Sequence, residues 1–133
     1  MANTIYLPFK QLLLGGDIDL ITDTIKVVLI DAADYTVSAA HDFLDDVAAG
    51  ARVGTPQTLA SKTITNGTFD AADVTFPSVT GDPCEAFLLY KDTGNEATSP
   101  LIYYADTGHT GLPVTPNGGD INLQFNASGI FTI

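Results

Sequence analysis

The side chains with most chemistry to offer in this 133-residue chain are two histidines, one cysteine and two clusters of aspartate. His41 adjoins Asp42, and His109 sits in the loop Asp106-Thr107-Gly108-His109-Thr110-Gly111, so either could act as a base if the fold brought it a nucleophile. No G-x-S-x-G context presents such a nucleophile, and both are read as loop or surface histidines. One cysteine and two distant histidines cannot supply the four-ligand spacing of a zinc site. Asp17, Asp19 and Asp23, and separately Asp42, Asp45 and Asp46, offer the hard oxygen ligands that calcium prefers. Neither cluster follows the D-x-[DN]-x-[DN]-G loop, so both are read as solvated acids near element ends. Phosphate-cradling GxxxxGK[ST] and GxGxxG loops are absent. The expectation is a protein without cofactor, metal or catalytic set, and so not an enzyme.

Tyr103-Tyr104 could offer a stacking surface for a sugar. Neighbouring strand residues point to opposite faces, however, so the pair is read as one core and one surface tyrosine. Cys84 lies in an apolar run and is expected to be a buried, inert thiol. The two N-x-S/T matches, Asn66-Gly67-Thr68 and Asn126-Ala127-Ser128, are read as turns.

Five basic against sixteen acidic residues leave a formal charge of -11, which repels phosphate backbones and anionic membrane surfaces. Neither nucleic acid nor membrane is expected as a partner. The charge suits solubility or a basic partner surface. With no basic leader and no apolar stretch near the roughly 18 residues of a membrane span, the chain is expected to be cytosolic when made.

The elements that must position these residues follow from periodicity. Ile5, Phe9, Leu12 and Leu13 fall on one helical face and Gly15-Gly16 follows as a stop, which predicts a short amphipathic helix within residues 2–14 ending near Leu14. Pro8 fits a start at Leu7 or Pro8, or else weakens a longer helix. Thr24-Ile25-Lys26-Val27-Val28-Leu29-Ile30 reads as a central strand. Ser38 is a candidate cap for a second short helix near residues 39–47, with Phe43, Leu44 and Val47 facing inward. Closely spaced turn signals from Gly54-Thr55-Pro56 onward predict an all-β remainder, and Asn66-Gly67 predicts a tight type I′ hairpin. Strands are expected at Val74-Thr75-Phe76, residues 85–91, residues 101–105, residues 121–125 and residues 130–133, the last paired or buried. The fold class is therefore mainly β, α+β at the margin: a single antiparallel β-sandwich or partly open barrel over residues 1–133. The loops at 92–100 and 106–117 are long for hairpin connections and, with the N-terminal stripe, are the expected docking surfaces.

The ordered strings Met1-Ala2-Asn3-Thr4-Ile5-Tyr6, Gly16-Asp17-Ile18-Asp19-Leu20, Ala49-Gly50-Ala51-Arg52-Val53-Gly54-Thr55-Pro56, Tyr90-Lys91-Asp92-Thr93-Gly94 and Leu112-Pro113-Val114-Thr115-Pro116-Asn117-Gly118-Gly119-Asp120 span nearly the whole chain. In sequence they resemble small virion-associated proteins of tailed bacteriophages. Pro8 departs from the pattern, where a helix-compatible residue is expected. The resemblance implies a virion component made in the bacterial cytoplasm, most simply a capsid decoration or cement protein. Its partners would be the major capsid protein or other virion proteins, and it would be homo-oligomeric in the assembly. A neck or tail adaptor is the near alternative; a receptor- or carbohydrate-binding module is the alternative of another class. The candidate contact residues are Ile5, Tyr6, Phe9, Leu12 and Leu13 in the N-terminal segment, with Tyr103, His109 and Leu112 in or beside the long loops.

Overall fold

The longest β-branched and aromatic runs of the chain become the middle of one sheet. The computed structural model describes residues 3–133. Its elements are β1 (Thr4–Ile5), α1 (Leu7–Leu14), β2 (Ile25–Ile30), β3 (Arg52–Thr58), β4 (Thr63–Thr65), β5 (Thr68–Asp70), β6 (Val74–Phe76), β7 (Ala86–Lys91), β8 (Leu101–Ala105), β9 (Ile121–Leu123) and β10 (Phe131–Thr132). The main sheet has the order β1-β8-β7-β2-β3 and is antiparallel throughout. A three-stranded sheet, β10-β5-β4, and a two-stranded one, β6-β9, complete a mainly β, sandwich-like architecture.

The three central strands are apolar on both faces because both faces are covered. On one face Tyr103 meets Phe131 of the small sheet, with ring centroids 5.1 Å apart, and Phe87 meets Phe125 at 5.4 Å. On the other face Tyr104 meets Tyr35, at 6.0 Å, from the long connection between β2 and β3. Both tyrosines of the pair are thus core residues, which corrects the expectation that one would be at the surface. Tyr35 in turn links Tyr6 to His41 through hydroxyl contacts of 2.9 and 2.8 Å. Burial, then the Tyr35 contact, holds the Tyr6 hydroxyl far above the usual phenol range, so it remains protonated.

Helix α1 begins at Leu7 with Pro8 in its first turn, where proline's missing N–H costs no helical hydrogen bond. It ends in a Schellman motif: Asp17 N–H donates to Leu12 O and Gly16 N–H to Leu13 O. The predicted end holds. Ile5 lies outside the helix, in β1 opposite Tyr103. Met1 and Ala2, the start of the expected segment, lie outside the described residues.

The hairpin at Asn66-Gly67 forms as predicted, with φ of +51° and +81° at the two turn residues. Two further expectations fail. The second helix is reduced to single 3-10 turns at Leu44–Asp46 and Ala49–Ala51. Backbone groups there bond across to the chain entering β8 instead of back along a helix: Leu44 N–H to Ser99 O, and Leu101 N–H to Asp42 O. Ser38 closes a local turn by accepting from Ala40 N–H, and Phe43, expected inward, is only half-buried, while Leu44 and Val47 are buried. The other failure is Gly54-Thr55-Pro56, which is not a turn between elements but a bulge inside β3. The pairing Leu29↔Val53 gives way to Val27↔Gln57 across it. An edge strand tolerates proline because one side of it lacks a partner.

Candidate functional site

Two openings flank Phe131, which lines both. The first is an apolar groove of about 230 Å³ between α1 and the β4-β5 hairpin, lined by Leu13, Leu20, Ile64, Phe69, Phe131 and Ile133. Its position follows from local sequence. Phe9 turns into the core, so Leu13, one turn on, lies over the groove and Leu14 beside it faces outward. Ile64 and its cross-strand partner Phe69 project from the same face of the tight hairpin into the groove, Phe69 buried and Ile64 exposed. Of the groove lining, Ile133 is 57% and Ile64 49% exposed, and Leu14, next in the chain to Leu13, is 88% exposed.

The second opening is a cleft of about 320 Å³. Its floor is aromatic: Phe87, Tyr103, Phe125 and Phe131. One wall is the start of the 106–117 loop (Thr107, Gly108, His109), the other the 126–130 connection. Hydrogen bonds hold these walls. Asn3 Oδ1 accepts from the N–H groups of Asp106 and Thr107, and its Nδ2 donates to Thr107 O. Asn126 Oδ1 accepts from Ser128 N–H, which makes the second N-x-S/T match the turn it was read to be. His109 packs edge-on against Phe87, centroids 5.0 Å apart, and Nδ1 lies 3.2 Å from Thr107 O. Since a carbonyl only accepts, Nδ1 carries the proton and Nε2 is the ring's acceptor. Burial lowers the pKa of this histidine below its ordinary value, against the smaller opposing effects of Thr107 O and Asp106. The neutral form prevails at pH 7.

Of the eight candidate contact residues, the structure groups Tyr103 and His109 in the cleft and places Leu13 in the groove. Ile5, Leu12 and Leu112 are half-buried against the core. Tyr6 and Phe9 are 0% exposed and Tyr103 only 7%, so Tyr6 and Phe9 are withdrawn as docking contacts. Their apolar stripe is satisfied within the domain. Sequence reasoning missed Ile64 and Ile133 of the groove and Asn126 and Ser128 of the cleft. Ile64, alone and apolar between two threonines, carried a signal; the others did not.

The remaining chemical groups are occupied structurally. Asp19 Oδ1 accepts from Ile21 and Thr22 N–H, and Asp23 caps Asp19 N–H while pairing with Lys91 at 3.2 Å. Asp42, Asp45 and Asp46 do converge, as do Asp31, Asp34 and Asp82. Asp46 spends one oxygen on Asp42 N–H, and Asp31 one on Ala33 N–H. Cys84 is buried, and burial pushes its thiol up to about 11, which leaves it protonated and unreactive.

Set against known proteins, the chain matches no family model and no curated protein sequence. Among the described residues, no helix is long and apolar enough to cross a membrane.

Proposed function

We propose that this protein is a non-enzymatic structural component of a tailed-phage virion, a capsid decoration protein that binds the outside of the major capsid protein shell and stabilises it. The observation that carries the reading is the apolar groove, with Ile64 and Ile133 of its lining exposed. Together with the sequence resemblance, it supports docking as the task. Full burial of one such aliphatic side chain contributes roughly 1.5–3 kcal/mol, too little for a tight single contact. Repetition over a symmetric shell multiplies it, and every bound copy shifts the equilibrium towards the assembled state. The charge of -11 makes a basic-rimmed patch on the shell, with a protruding apolar side chain, the complementary occupant.

The test is co-sedimentation with shells built from the capsid protein of the phage that encodes the chain. Deleting residues 2–14 would remove Tyr6 and Phe9 from the core, so the informative variant is Ile64→Thr/Ile133→Thr, which alters only exposed positions of the groove lining. We expect binding of the parent chain and at least a tenfold loss in the variant. A parent chain that stays in the supernatant sinks the proposal. Copy number separates the two virion stations: decoration implies on the order of hundreds per particle, a neck or tail ring roughly a dozen or fewer.

A further inference from the structure

We infer that the cleft over Phe87, Tyr103 and Phe131 is a binding site for a neutral, polyhydroxylated ring, the chemistry of a single pyranose. Three observations converge on that class. The first is size. About 320 Å³ stands at the small end of ligand pockets, room for one ring and not for an extended ligand.

The second is the contrast between floor and lip. The floor is a continuous aromatic cluster, with Phe87 6.2 Å from Tyr103 and Tyr103 5.1 Å from Phe131. Between 2% and 8% of each floor residue is open, so the floor offers a small apolar patch to the C–H groups of a sugar ring. The lip is built from Thr107, His109, Asn126 and Ser128, and these supply hydroxyl, amide and imidazole groups. The Oδ1 atom of Asn126 is used within its own turn, so Nδ2 is the group that can donate to a ligand. His109 places its proton on Nδ1 toward Thr107 O, so Nε2 can accept from a ligand hydroxyl. The lip thus offers both donors and acceptors, with the Thr107 hydroxyl, which donates to Asn3 Oδ1, left to accept.

The third is charge. Among the described residues, no Lys, Arg, Asp or Glu lines the cleft, and the protein as a whole carries -11. An anion would meet no counter-charge and an unfavourable field; a cation would find no carboxylate to desolvate against. A neutral ligand meets neither cost. The same surface would serve a free sugar or the terminal residue of a longer glycan.

The experiment is two-dimensional 15N–1H NMR on the intact chain, titrated with methyl glycosides of glucose, galactose, mannose and N-acetylglucosamine, with the corresponding trisaccharides, and with glycerol as control. At least one methyl glycoside is expected to bind with a Kd of about 1–10 mM, as befits one partly enclosed ring. The shifted amides should be those of residues 107–109 and 126–131. Ser128→Tyr, which plugs the opening from an exposed position, should abolish the shifts, and His109→Ala should weaken them at least threefold. A second variant, Ile64→Thr, should leave them unchanged. A trisaccharide binding tenfold tighter than its monosaccharide assigns the site to a glycan end, and equal affinities assign it to free sugar. The inference is overturned if no glycoside shifts these amides at about 50 mM, if glycerol shifts them equally, or if the shifts survive Ser128→Tyr in a folded protein.

Discussion

The groove and the cleft share one wall and are otherwise opposites. The groove is bounded by aliphatic side chains on elements that burial holds in place: Leu13 on α1, Leu20 after it, and Phe69 and Phe131 on paired strands. The cleft is bounded by loop backbone that hydrogen bonds hold in place, through Asn3, Asn126 and the Thr110↔Gln124 bridge. An aliphatic opening can discriminate only by shape and extent, which suits a macromolecular surface. An opening ringed with directed donors and acceptors can discriminate by hydroxyl pattern, which suits a small ligand. Two kinds of support on one small domain therefore permit two kinds of recognition.

The sharpest way to break the distinction is through the residue common to both. Phe131 packs on Phe9, Phe69 and Tyr103. Phe131→Ala should cost about 3–5 kcal/mol in urea unfolding and impair both openings together. A cost under about 1 kcal/mol would mean that the two sites do not depend on a shared wall.

Next in size is Gly111→Ala, beyond the cleft wall. Gly111 has φ +109°, and a Cβ there would lie 2.1 Å from the Asn122 carbonyl oxygen. Backbone cannot yield as a side-chain end can, so a loss of about 2–3 kcal/mol is expected, with amide exchange rising first in residues 106–117. If exchange rises equally around Ile64 and Leu20, the two regions are not separately supported.

A smaller effect separates the regions by pH. The folded-state pKa of His109 is lowered by burial, so between its ordinary value near 6.5 and that lower value the unfolded chain binds more protons. Stability should fall as pH drops below about 6.5, and His109→Phe, which keeps a ring against Phe87, should flatten that slope. Asp92 is held below its usual range by the Gly94 N–H and then by Lys26, and its contribution disappears only at more acid pH, below about 4. An unchanged slope between pH 7 and 5 in His109→Phe would contradict the burial of His109. The smallest change is expected at the groove rim: Ile64→Thr/Ile133→Thr should alter stability by no more than about 0.5 kcal/mol while weakening shell binding. Destabilisation well beyond that would make the rim part of the core, not a docking surface.

The two regions also differ in how far the sequence disclosed them. The Asn66-Gly67 hairpin, the end of α1 and the strands from Ile25 and Ala86 were legible because a period, a run or an obligatory turn residue marks each locally. The second helix misled because apolar spacing around Phe43, Leu44 and Val47 cannot say whether the backbone will bond along itself or across to Ser99. Gly54-Thr55-Pro56 misled for a similar reason, since the same residues mark a turn or an edge bulge according to the neighbouring strand. Tyr6 and Phe9 were taken for contacts because an apolar stripe does not state what covers it.

By itself the sequence determined the β-rich class, the acidic field, the buried thiol and the positions of the sharpest turns, all consequences of composition and of interactions within a few residues. Only the tertiary structure decided that both tyrosines of the 103–104 pair are core. It also decided that His109 meets Phe87 and that Leu13 and Ile64 line one groove. These arrangements bring together residues as far apart in the chain as Tyr35 and Tyr104; strand order and register set them, and no local pattern encodes them.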